Sequence, residues 1–127
     1  MGVIHRFREE GKSCLWEGAR TRPYSGEGYE GTMQWLIGKP EEAPNFALRY
    51  FEIQPGKSSH LEQHEHDHGV IIFRGKAKVR MGEEEQLALP GDVIYIPPNE
   101  IHQFTCMGEE PLGFFCIIPA KRGADTD

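Results

Sequence analysis

At 127 residues the chain has room for one hydrophobic core and one domain. Its formal charge of −6, from 14 Lys and Arg against 20 Asp and Glu, makes nucleic acid and anionic membrane surfaces poor partners. Cys14, Cys106 and Cys116 are odd in number and lack C-x-x-C spacing, so they read as reduced, mostly buried thiols of a cytoplasmic protein, and no apolar run is long enough for a signal peptide or a membrane span.

Fifteen Gly and nine Pro break the chain into short pieces, which favours short strands joined by turns over long helices. Residues 1–31 read as a polar, turn-rich arm, suited to lie across a neighbouring subunit. Within it Gly26, Gly28 and Gly31 spell G-x-G-x-x-G, but a proline-bearing polar segment precedes them and the β-like Met33-Gln-Trp-Leu-Ile37 follows. A dinucleotide fingerprint needs a strand before and a helix after, so a turn is the better reading.

From Thr32 the pattern becomes regular. Met33 to Ile37 is expected as a strand, Gly38 to Pro44 as a loop, and Asn45 to Ile53 as a second strand with large groups on both faces. Such a strand belongs between two layers. Val70 to Phe73 follows, then Lys76 to Met81, which alternates cation and apolar residue as a half-exposed strand does, and a solvated hairpin turn at Gly82 to Glu85. Gln86 to Leu89 is a further strand, Val93 to Ile96 a buried one stopped by Pro97-Pro98, and Ile101 to Met107 with Leu112 to Ile118 a closing hairpin. The tail from Lys121 is expected to fray.

Between the second and third of these strands lies the densest group of metal-ligating side chains. Four of the six histidines, His60, His64, His66 and His68, fall within nine residues. Glu62, His64, His66 and His68 share one parity, so an extended backbone points them to one face. A face of that kind is either in water or around a metal, and the apolar run Val70 to Phe73 argues for entry into a core. Imidazole with carboxylate suits Zn, Fe, Mn, Ni or Cu without selecting one.

Two stretches together carry a family resemblance. Gly56, Glu62, His64, His68 and Gly75 keep the intervals of G-x5-H-x-H-x3-E-x6-G, and Gly91, Pro97, Asn99, His102 and Cys106 keep those of G-x5-P-x-G-x2-H-x3-N. These are the two motifs of the cupin superfamily, which this chain resembles over roughly residues 45–119. Glu62 stands in the first histidine slot and His68 in the glutamate slot, so three histidines and one carboxylate survive in permuted order. The resemblance implies an all-β fold, a double-stranded β-helix or jelly-roll barrel over residues 32–120, with residues 1–31 as the arm and 121–127 as the tail. It further implies one divalent transition metal held by Glu62, His64, His68 and His102, with His66 as the alternative to Glu62.

Ile72 and Phe104 share the parity of His68 and His102, so the pocket around the ligands is expected to be apolar. Arg49, Tyr50, Trp35 and Tyr95 are candidates for orienting a substrate, against the alternative that each is a core or interface residue. His60 is expected to be structural or on the rim, and His5 to be a solvated surface group. No Ser-His-Asp or Cys-His arrangement stands out, so catalysis is expected to run through the metal. Family resemblance then points to a mononuclear metalloenzyme of dioxygenase, isomerase or lyase class acting on a small oxygenated substrate, or to a binding or sensing module using the same pocket without turnover. It also points to a homodimer.

Overall fold

The computed structural model describes residues 2–26 and 28–120. Eleven strands run through them: β1 Phe7–Glu10, β2 Ser13–Trp16, β3 Arg20–Gly26, β4 Tyr29–Ile37, β5 Phe46–Ile53, β6 His68–Arg74, β7 Ala77–Met81, β8 Glu84–Ala88, β9 Val93–Ile96, β10 His102–Cys106 and β11 Leu112–Pro119. Among the described residues the one helical element is a 3-10 turn at Lys39–Glu41. Among the described residues no helix is long and apolar enough to cross a membrane.

Six strands form one sheet in the order β3-β4-β5-β11-β6-β9, and three form a second in the order β10-β7-β8. The sheets face each other across a common core in which Ile53, Val70, Ile72 and Phe114 of the larger sheet meet Ala77, Val79, Ala88 and Phe104 of the smaller. Phe114 stacks between Phe104 and Phe51, with ring centroids 4.5 and 5.3 Å away. Each such pair contributes about 0.5–1.5 kcal/mol beyond its area. This is the all-β jelly roll that the motif spacing implied.

The strand expected between two layers is β5. Its inner face carries Arg49 and Phe51, while Tyr50 and Glu52 point outward and are buried all the same. What covers the outer face is the β1–β2 hairpin: the ring of Trp16 lies 4.8 Å from that of Tyr50 and 5.5 Å from that of Phe115. Two polar side chains fasten the hairpin. The Glu52 carboxylate accepts from Cys14 N (2.7 Å) and Arg74 Nη2 (3.1 Å), and Gln34 accepts from Trp16 N (3.2 Å) and donates to Cys14 O (2.7 Å).

Several sequence expectations need correction. The segment read as a turn-rich arm holds three strands and the start of β4, and β3 continues the six-stranded sheet through a full register with β4. The literal G-x-G-x-x-G lies on that β3–β4 hairpin, where Gly31 passes so close to the Glu52 carbonyl that a Cβ could not be placed. β10 and β11 are not a hairpin. β10 pairs with β7 in the small sheet and β11 inserts between β5 and β6, so the Gly108–Pro111 link crosses between sheets. β9 is an edge strand with Val93 and Tyr95 exposed, since only β6 pairs with it. The expected fraying of the tail concerns residues 121–127, outside the described residues.

Candidate metal centre

The ligand segment is built onto β10 rather than carried by a strand of its own. Glu62 and His102 exchange both backbone hydrogen bonds, 3.0 and 2.9 Å, and Ser59 N donates to Phe104 O at 2.7 Å. Further along, Asn99 N donates to His64 O at 2.6 Å. Asn99 occupies the glycine slot of the second motif and adopts φ +68°, a left-handed turn that asparagine tolerates better than most residues. Paired prolines ahead of it set the entry to that turn.

These constraints bring His64, His68 and His102 together from three separate segments. One ligand atom of each lies within 4.8 Å of the others. Two donors about 2.2 Å from one ion lie at most about 4.4 Å apart, so a small side-chain rotation closes the three imidazoles on a single divalent ion. His68 and His102 are buried and His64 is half-buried.

The donors are in the right state for that chemistry. His102 Nδ1 lies 2.9 Å from Glu100 O, so it carries the proton and leaves Nε2 as a lone-pair donor. His68 Nδ1 is buried with no hydrogen-bond partner. Burial, with smaller contributions from His102, His66, His64 and Arg49, pushes His68 down to about 3, so its imidazole is neutral at physiological pH. A neutral buried imidazole with an unpartnered nitrogen, converging with two further imidazoles, fits a transition metal.

Glu62 and His66 flank this group. Glu62 Oε1 lies 3.4 Å from His64 Nε2, while the His66 ring stacks on that of His64 at 5.0 Å and 4°. Both line an outer recess with His64, Arg22 and Arg49. Inside it, a small cavity of about 30 Å³, open on one side, reaches the imidazoles of His68 and His102. Its wall is largely apolar, including Phe51, Val70, Ile96, Phe104 and Phe114, with Arg49, Tyr24, Ser59 and Cys116 as added polar groups.

The profile of the cupin domain family matches residues 49–118. The chain belongs to the cupin family. This cupin is 34% identical over 116 residues to 1-methylthio-D-xylulose 5-phosphate methylsulfurylase from Rhodospirillum rubrum, an alignment covering 91% of the chain and 65% of that relative's length. Among solved structures it superimposes with a TM-score of 0.81 on a cupin 2 conserved barrel domain protein from Rhodopseudomonas palustris, at 31% identity over 95% of this chain and 83% of the other. A cupin 2 domain-containing protein from Halorhodospira halophila matches with a TM-score of 0.70 at 37% identity, covering 96% of this chain and 81% of that one.

The substrate-orienting candidates of the sequence reading separate cleanly. Arg49 lines the cavity, and Trp35 supports it from the neighbouring strand. Tyr50 is on the opposite face of β5, where burial raises its pKa and its hydroxyl donates to Glu52 at 3.4 Å. Tyr95 is exposed and donates to Asp67 at 2.9 Å. His60 is structural, held between the rings of Tyr24 (4.5 Å) and Tyr29 (4.4 Å). His5 is no solvated surface group, since Nδ1 contacts Glu17 O at 2.8 Å and Nε2 contacts Glu41 at 3.1 Å.

Sequence reasoning missed Tyr24 and Cys116. Tyr24 accepts from His60 N at 2.6 Å, and burial pushes its phenol up to about 12. The alternation Arg20, Arg22, Tyr24 is the signal that would have shown a strand there. Cys116 stands directly opposite Arg49 in the register of β11 and β5, a relation visible only once the topology is known.

Proposed function

We propose that this cupin is a metal-dependent enzyme that acts on a small, oxygen-rich substrate of the phosphorylated keto-sugar type. The observation that carries the reading is the convergence of His64, His68 and His102 on one point at a partly open, largely apolar cavity. The named activity of the Rhodospirillum rubrum relative, on a methylthio-substituted ketose phosphate, supports the substrate class.

A divalent ion held by the three imidazoles, with Glu62 as the proposed fourth ligand, would act as a Lewis acid towards a carbonyl or hydroxyl oxygen. The chain's own residues supply the surroundings. His68 stays neutral and His102 is locked in one tautomer by Glu100 O, so both present lone pairs in fixed directions. The phenylalanine wall offers water few partners, which strengthens polar contacts made against it. Tyr24 remains protonated far above neutrality and can donate its hydroxyl proton as a hydrogen bond towards a substrate oxygen. These features favour an isomerase or lyase step next to a carbonyl.

The test is turnover by protein reconstituted separately with Mn, Fe, Ni and Zn, incubated with 1-methylthio-substituted and plain ketose phosphates. Products are read by mass spectrometry and oxygen uptake by electrode. Anaerobic turnover that disappears on chelation is expected. Turnover that survives chelation, or none with any metal, contradicts the reading, and obligatory oxygen consumption moves it to a dioxygenase.

A further inference from the structure

The inner face of the large sheet carries a row in register: Arg20 opposite Trp35, Trp35 opposite Arg49, Arg49 opposite Cys116. Arg49 is held tightly. Its guanidinium carbon lies 5.7 Å from the Trp35 ring and 5.0 Å from that of Phe51. Such contacts fix a cation's position without neutralising it.

The protein leaves this guanidinium without an anionic partner. Among the described residues its one hydrogen bond runs from Nη2 to Cys116 Sγ at 3.3 Å, a weak acceptor, and Nε is buried with no partner. No carboxylate oxygen of a described residue lies within ion-pair distance. Glu62 lines the same cavity, but its carboxylate is turned to His64. Arg74 shows the ordinary arrangement in the same sheet, with its guanidinium on the Glu52 carboxylate at 3.1 Å and on the Lys12 carbonyl.

A partly desolvated cation with unmet donors costs free energy unless something of opposite charge completes it. Arg49 also stands where a ligand passes, because it lines both the outer recess beside His64 and the inner cavity with His68 and His102. A flat fork of N–H donors at that place suits two oxygens of one oxyanion.

We propose that Arg49 is the oxyanion-holding residue of this site. It receives the phosphate or carboxylate of a substrate whose oxygenated end reaches the three imidazoles, an assignment that rests on the enzymatic reading above for its substrate. Specificity follows: an uncharged analogue leaves the cation unpaired and is rejected.

The test is binding of inorganic phosphate and, in a separate arm, acetate to the full chain, both metal-loaded and chelated, with metal content measured for every variant. Wild type is expected to bind at least one of these anions. Arg49→Gln should weaken that binding by about tenfold or more, as loss of a charge-assisted pair does, with Arg49→Lys in between and metal content unchanged. If Arg49→Gln does not fold, Arg49→Met keeps the stem between Trp35 and Phe51 and reads the same loss. A mutation-free measurement stands beside it: the bound anion should protect Arg49 of the wild-type chain from phenylglyoxal, mapped by mass spectrometry. Arg49-dependent anion binding in protein that takes up no metal would support the assignment while removing the metal reading. Binding of neither anion, unchanged affinity in both the Gln and Met variants, or no protection of Arg49 would overturn it.

Discussion

His64 Nε2 and Glu62 Oε1 lie 3.4 Å apart at the open side of the three-imidazole group. That contact sets a carboxylate beside a half-buried ligand, where it can join the metal directly or orient the imidazole. In either role an added negative charge tightens the hold on a divalent ion. Glu62→Gln should therefore weaken metal affinity by about tenfold or more. Glu65→Gln, at an exposed position of opposite parity, should leave it unchanged, and chelator competition on both variants checks the difference.

A second pair gives stability a pH dependence. The Glu17 carbonyl, and after it Glu41, raise the pKa of His5. Burial alone would raise that of Glu41, but the Gly38 N–H and His5 together lower it. The raised His5 contributes fully below its unfolded value of 6.5 and loses its contribution as pH rises through the folded value. The lowered Glu41 contributes above 4.5 and loses its contribution as pH falls through its own folded value. The pair is thus fully formed between those two unfolded values. Glu41→Gln should cost about 1 kcal/mol or less near pH 5.5 and less still at pH 8.5, read as the change in Tm at each pH.

Glu52 fastens the outer hairpin from a fully buried position, with Cys14 N, Tyr50 OH and Arg74 as donors. Removing it takes the counter-charge from the half-buried Arg74 guanidinium and the acceptor from the buried Cys14 N–H. Glu52→Ala should destabilise the fold by about 3 kcal/mol or more and release the amide of Cys14 to hydrogen exchange. Protection of Cys14 equal to wild type would contradict this account of the hairpin.

The β1–β2 hairpin covers only part of the outer sheet face. Ile71, Val93, Tyr95 and Ile117 remain exposed beside it, on neighbouring strands that end at the β9 edge. We propose a second copy of the chain as the cover, giving a homodimer. Light scattering should give twice the chain mass at micromolar concentration, and Val93→Lys with Tyr95→Lys should shift it to the monomer.

Much of the architecture was legible in the sequence because turns and motifs report local geometry. Gly75, for example, takes φ +80° where a Cβ would meet the Pro111 carbonyl at 2.7 Å, so its slot is a steric requirement. The inward parity of Ile72 and Phe104 likewise held, as both are buried in the core beside the site. What was not legible depends on pairing between distant segments. β10 and β11 look like a hairpin because they are adjacent and complementary in pattern, yet each finds its partners more than twenty residues back in the chain. Tyr24 and Cys116 reach the cavity for the same reason, through registers that no local window contains.

The most direct test of the central claim is elemental analysis of untagged protein supplied with Fe, Mn, Ni and Zn. About one transition metal per chain is expected, falling to near zero when His68→Ala and His102→Ala are combined, with the fold retained by circular dichroism. Full metal occupancy in that double variant, or none in the wild type, would contradict a site built on His64, His68 and His102.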